Sequence, residues 1–134
     1  MLAGSLHMPL SAEGLRYVGR ISDEEKWDAL SGALAVVVPS RWESLSLLAL
    51  EAFSQGTPIV ANRASEVLQG QVKRSGAGAL YADRDSFTAA VREVAKRRAQ
   101  LGRSGQAFAA RHTWDKVLGA YREEIARILE DVKQ

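Results

Sequence analysis

Two short apolar runs with a helix-sized segment between them constrain this chain more than any other feature. "LAVVV" (34–38) is continuous and β-branched in character, and "PIVAN" (58–62) is a second run of the same kind. Strands covered on both faces read this way, because neither face turns toward water. Between them, "LSLLALEAFSQ" (45–55) has helical composition and stops at Gly56 and Pro58. Strand, helix, strand with short links makes a βαβ unit, which requires parallel strands and a right-handed crossover.

The remaining segments arrange themselves around that unit. "LRYVG" (15–19) is a candidate short strand. In "ISDEEKWDALSGA" (21–33), Ser22 or Asp23 can cap a helix whose first turn is acidic. Ile21, Trp27 and Leu30 are expected to face the core. "SEVLQGQV" (65–72) reads as a short helix, and "GAGALYA" (76–82) as a loop leading into a small strand. From residue 85 the chain is helical almost throughout, with breaks expected near Gly102 and His112. Phe87, Val91 and Val94 recur at helical spacing, as do Val117, Tyr121, Ile125 and Leu129. The expected fold is α/β, with a Rossmann-like parallel sheet flanked by helices over residues 1–84. Helices over 85–134 are expected to pack on the same domain. "MLAGSLH" (1–7) offers little strand-like sequence, so the chain reads as beginning partway through a domain.

Composition narrows the function classes. A chain of 134 residues suggests one domain with a real core. Eighteen basic against 16 acidic residues leave a net charge of +2, too balanced to argue for nucleic acid. The chain has no cysteine, which excludes disulfides and thiolate metal sites. No apolar run approaches the ~20 residues of a spanning helix. The first ten residues lack the charged start and apolar segment of a signal peptide. A soluble, cytoplasmic protein is expected.

Glu43 and Glu51 are the residues that ask for chemistry. They lie eight positions apart in "PSRWESLSLLALEAFSQGTPIVAN" (39–62), a stretch otherwise rich in leucine and alanine. An unpaired carboxylate buried there would be costly. If the helix begins near Ser46, Glu43 lies in the loop before it and Glu51 lies one to two turns inside. The free amides of a first turn, with the helix dipole, form an anion site. Small Ser44 and Ser46 would let a diphosphate approach. A bland reading stands beside this one. Ser40-Arg41-Trp42-Glu43 matches a capping box, and Glu51 fits an exposed position on an amphipathic helix.

The same stretch resembles the signature of the group 1 glycosyltransferases, family 4. Its elements are a proline-serine loop, two glutamates separated by seven residues, and a glycine-threonine-proline strand. "YVGRISDEEKWDALSGALAVVVPS" resembles the preceding strand, loop and helix of that family. "SEVLQG" with "GAGALY" resembles its following helix and glycine turn, and "HTWDKVLGAYREEI" its C-terminal helix. The resemblance implies the C-terminal, donor-binding part of a GT-B fold, truncated at its N-terminal side. It implies a retaining enzyme that transfers sugar from a nucleotide-sugar to an acceptor without a metal or other cofactor. It assigns Glu43 to the donor sugar as the catalytic-site carboxylate, and Glu51 to the ribose hydroxyls. Arg20 and Ile21 would lie near the base through their backbone. Ser44, Leu45, Ser46, Leu47 and Leu48 complete the donor-binding set. The family's diphosphate-neutralising arginine and lysine lie further upstream, and Arg20 and Lys26 do not match that pair.

On this resemblance the chain is catalytically incomplete without an acceptor domain. The missing part would belong to a longer protein or to a separate partner chain; a non-enzymatic interaction module is the other alternative. A short first strand leaves a sheet edge through which a homodimer is expected. Asp83-Arg84-Asp85 spells a metal-binding signature of other glycosyltransferases, but its position before a helix favours a cap. Glu66 reads as a cap or a minor donor contact, and His112 as part of a local turn. Lys96, Arg97, Arg98 and Arg103 form a basic cluster: a solvated face or, alternatively, a membrane-surface contact.

Overall fold

The computed structural model describes residues 1–131. Helix α1 (Asp23–Gly32) precedes strand β1 (Val36–Val38), helix α2 (Leu47–Ser54) and strand β2 (Ile59–Asn62). Helix α3 (Glu66–Ser75), strand β3 (Gly78–Tyr81), helix α4 (Arg84–Ala109) and helix α5 (Trp114–Asp131) follow. The three strands form one parallel sheet in the order β1-β2-β3. Val37 pairs with Val60, and Val60 with Ala79, so their side chains share one face. The α/β class and the βαβ unit expected from the two apolar runs are both present.

Each face of the sheet has its own cluster. Val38, Ile59 and Ala61 pack against Ala49, Ala52 and Phe53 of α2, with Leu68 of α3 and Phe108 of α4. Val60 and Ala79 pack against Ala90, Val94 and Leu101 of α4 on the other face. Strand β2 is therefore covered on both sides, and Ile59, Val60 and Ala61 are wholly buried. Strand β1 is an edge, and its Val37 stays 43% exposed.

Several expectations need correction. Residues 15–19 form no ladder: Tyr17 makes a single parallel bridge to Leu2, and one bridged pair does not propagate a strand. Trp27 is an exposed residue beside Lys26, whose ammonium lies 4.7 Å from its ring. Only Leu30 of α1 is buried, and Ile21 is half-buried, because among the described residues no further layer covers the outer side of α1. The break expected near Gly102 is absent, and α4 runs unbroken through it. Gly102 is instead a packing notch, where a β-carbon would meet the carbonyl oxygen of Gly56 at 2.4 Å. The chain does leave the helix before His112, whose Nδ1 lies 2.8 Å from the Phe108 carbonyl oxygen. Helix α5 has no buried residue, and Val117, Tyr121, Ile125 and Leu129 line an exposed apolar face.

Asp83 is the N-cap of α4, as its position suggested. Its Oδ1 accepts from the Ser86 hydroxyl at 2.6 Å and the Ser86 amide at 2.8 Å. These bonds hold the carboxyl below the usual carboxylate range, the hydroxyl bond contributing most. Glu25 is lowered too, chiefly by the backbone amide of Ser22 in the capping box of α1. A carboxyl lowered in the folded state stabilises above its unfolded pKa, and that contribution is lost as pH falls through the folded value. The thermal midpoint is expected to drop below about pH 4. Asparagine caps a helix as well as aspartate does, so Asp83→Asn keeps the cap without the titration. Its midpoint-against-pH curve is expected to be flatter than that of the unmodified chain in this range, and parallel curves would refute the assignment.

Candidate functional site

The loop from Pro39 to Ser46 leaves the carboxyl end of β1 and delivers the chain to α2. Ligands of open parallel sheets bind beyond this end. No helix begins at Ser40, so the capping-box reading of residues 40–43 does not apply. Ser46 is the N-cap, and it makes no side-chain capping bond. The first backbone bond of the helix runs from the Leu50 amide to the Ser46 carbonyl. Among the described residues, the amides of Leu47, Leu48 and Ala49 have no acceptor. The helix start is thus uncapped and retains the donor capacity that an anion uses.

Below it, the buried Gln71 amide nitrogen donates to the Ser46 carbonyl at 3.4 Å, and its oxygen has no hydrogen-bond partner among the described residues. On α2, Ala49, Ala52 and Phe53 fix the buried face. Leu45, Leu47 and Leu48 remain exposed, although they are apolar.

Two cavities flank the loop. One, of about 340 Å³, is lined by Arg41, Trp42 and Glu43 on one side and Ala64 to Val67 on the other. Trp42 is 89% exposed there, and Glu43 and Glu66 both line the cavity. Ser65 caps α3, which leaves the Glu66 carboxylate out of the capping role. The other is an open groove of about 820 Å³ with an apolar lining that includes Leu2, Leu15, Ile21, Val37 and Leu48. Lys26 also lines it.

The structure therefore brings Ile21 and Leu48, the second residue of α2, to one groove and Glu43 to a separate cavity. Glu51 lies three residues beyond Leu48, on the same side of α2. The Arg20 side chain reaches Ser5, its Nε donating to Oγ at 3.2 Å.

Glu51 is not the lone acid that its sequence setting suggested. Its Oε1 accepts from Lys26 Nζ at 3.2 Å, and both side chains are 30% exposed. That bond to Glu51 is the main cause that raises the Lys26 pKa. The pairing joins α1 to α2 across 25 positions, and no local pattern announces it. Of the basic cluster, Arg98 donates to the carbonyls of Ser31 and Ala33, and Arg97 pairs with Glu93. Among the described residues, no cluster of three or more histidine or acidic side chains could hold a metal. No helix there is long and apolar enough to cross a membrane.

Comparison with known proteins agrees with the resemblance. The family described as "Glycosyl transferases group 1" matches residues 10–108. D-inositol 3-phosphate glycosyltransferase 2 of Catenulispora acidiphila is 31% identical over 126 residues, covering 91% of this chain and 30% of that protein. The MMP alpha-(1->4)-mannosyltransferase of Mycolicibacterium hassiacum is 34% identical over 119 residues, covering 81% of this chain and 29% of its own length. A glycogen synthase of Mycobacterium tuberculosis is 34% identical over 115 residues, covering 78% and 27%. The chain spans less than a third of the length of these relatives. With most of its length matched and its parallel α/β architecture in place, the chain belongs to the group 1 glycosyltransferases.

Proposed function

We propose that this chain forms the nucleotide-sugar-binding part of a retaining glycosyltransferase. The observation that carries the reading is the uncapped start of α2, with Glu43 in the loop that leads into it and Glu51 in its second turn. In it, the amides of residues 47–49 hold the diphosphate, Glu51 accepts from the ribose diol, and Glu43 accepts from hydroxyls of the sugar. A carboxylate suits a vicinal diol because each oxygen takes a charge-assisted hydrogen bond. The groove beside Ile21 and Leu48 receives the base. Charge that develops on the departing diphosphate is stabilised by fixed amide dipoles, which need little reorganisation. The acceptor wall comes from another domain, in the same polypeptide or a partner chain, and the isolated chain transfers nothing.

Calorimetric titration with UDP-, GDP- and ADP-sugars tests the reading. One of them is expected to bind, and Glu51→Ala is expected to weaken it at least about tenfold, since a hydrogen bond to a charged group contributes ~1.5–3 kcal/mol. No binding at millimolar ligand, or binding that ignores the substitution, would contradict it.

A further inference from the structure

Glu51 has two oxygens, and the fold spends one of them. Oε1 takes the Lys26 ammonium at 3.2 Å, while Oε2 takes no hydrogen bond among the described residues. Lys26 is itself held in place. Asp23 Oδ1 lies 3.3 Å from its ammonium, and the Trp27 ring lies 4.7 Å away.

The helix that carries Lys26 is anchored at its far end. The buried Thr57 hydroxyl donates to the Leu30 carbonyl at 2.6 Å. Arg98 Nη2 donates to the Ala33 carbonyl at 2.9 Å. Lys26 therefore reaches Glu51 from a fixed point, at the wall of the groove that Ile21 and Leu48 line.

We propose that Lys26 is a positioning residue of the nucleotide site. Its ammonium fixes one oxygen of Glu51 and leaves the other for the hydroxyls of a ribose. The inference rests on the donor-site reading above and adds a residue to it.

A free glutamate loses rotamer freedom when it engages a ligand, and a pre-anchored one has lost it already. The charge of Lys26 stays partnered in the free protein, so no isolated carboxylate has to be desolvated when ligand arrives. The role differs from attraction of the diphosphate. Attraction would favour any nucleotide, whereas anchoring Glu51 favours only those with the hydroxyls that Glu51 engages.

The test compares UDP, GDP and ADP with their 2′-deoxy counterparts on the full chain, by calorimetry, for the unmodified protein, Lys26→Met and Lys26→Arg. Lys26→Met is expected to weaken the ribonucleotide about fivefold while changing the deoxynucleotide less than twofold, the scale set by immobilising one side chain. Lys26→Arg keeps the donors and is expected to restore most of the ribose preference. The thermal midpoint is expected to move by no more than about 2 °C, because partly exposed ion pairs contribute little. Equal weakening of ribo- and deoxynucleotide, or no weakening of either, overturns the role of Lys26 and leaves the donor site standing. An unmodified chain that binds none of the nucleotides at millimolar concentration overturns both.

Discussion

Phe53→Ala is expected to cost about 3–5 kcal/mol of stability, the range for removing a fully buried aromatic ring. Phe53 has no exposed surface, and it joins α2 to α4 and to the sheet. Its ring meets Phe108 edge-on, with centroids 6.1 Å apart and planes at 88°. Gly105 lies so close that a β-carbon there would be 3.2 Å from the Phe53 ring, so the ring fills its site with no slack. The void left by alanine cannot collapse, because the parallel sheet and a 26-residue helix bound it on both sides. Domains of this kind are stable by about 5–15 kcal/mol, so the variant forfeits a large share of the total. Urea denaturation checks this: the midpoint should fall sharply with an unchanged slope. A loss under about 1 kcal/mol would mean that α2 and α4 do not share the core described here.

Gly102→Ala is the second large effect, and its sign runs against helix propensity. In the middle of an exposed helix the change gains about 1 kcal/mol. Here the new β-carbon would stand 2.4 Å from the Gly56 carbonyl oxygen, closer than any real contact. The obstructing atom is backbone and the β-carbon is fixed to its own, so no side chain can swing aside. Gly56 cannot readily yield, since its φ of +71° closes the turn between α2 and β2. Helix α4 must lift off that turn, and overpacking of this kind costs about 3 kcal/mol. The thermal midpoint should drop by roughly 10 °C in calorimetry. A neutral or stabilising outcome would show that α4 does not press on Gly56.

These two positions also show what could be read from the sequence. The parallel pairing was legible because "LAVVV" and "PIVAN" are apolar without alternation; β2 is covered on both faces as that pattern predicts, whereas β1 is an edge strand and leaves Val37 exposed. The helical composition of "LSLLALEAFSQ" allowed a start near Ser46 but left a capping box at Ser40–Glu43 open, and the structure places the N-cap at Ser46. Gly102 was misread because a glycine that weakens a helix and one that admits a neighbouring backbone look identical in one dimension. Residues 15–19 have strand composition, yet a strand needs a continuous partner, and only Leu2 lies opposite Tyr17. The tie between Lys26 and Glu51 was illegible for a different reason. It depends on how α1 sits against α2, which no spacing rule encodes. The exposed face of α5 followed its periodicity, but periodicity says only that a face is apolar, not what it meets.

In the proposed donor site, the uncapped start of α2 receives the diphosphate of a nucleotide-sugar. Backbone amide NMR during titration of the ¹⁵N-labelled chain with UDP, GDP and ADP reads this directly, because the expected ligands are amides. One nucleotide is expected to shift the amides of Ser46, Leu47, Leu48 and Ala49 most, with smaller shifts at Ile21 and Glu51. Shifts that fall elsewhere and spare residues 46–49, or no shift for any of the three at millimolar concentration, would contradict it.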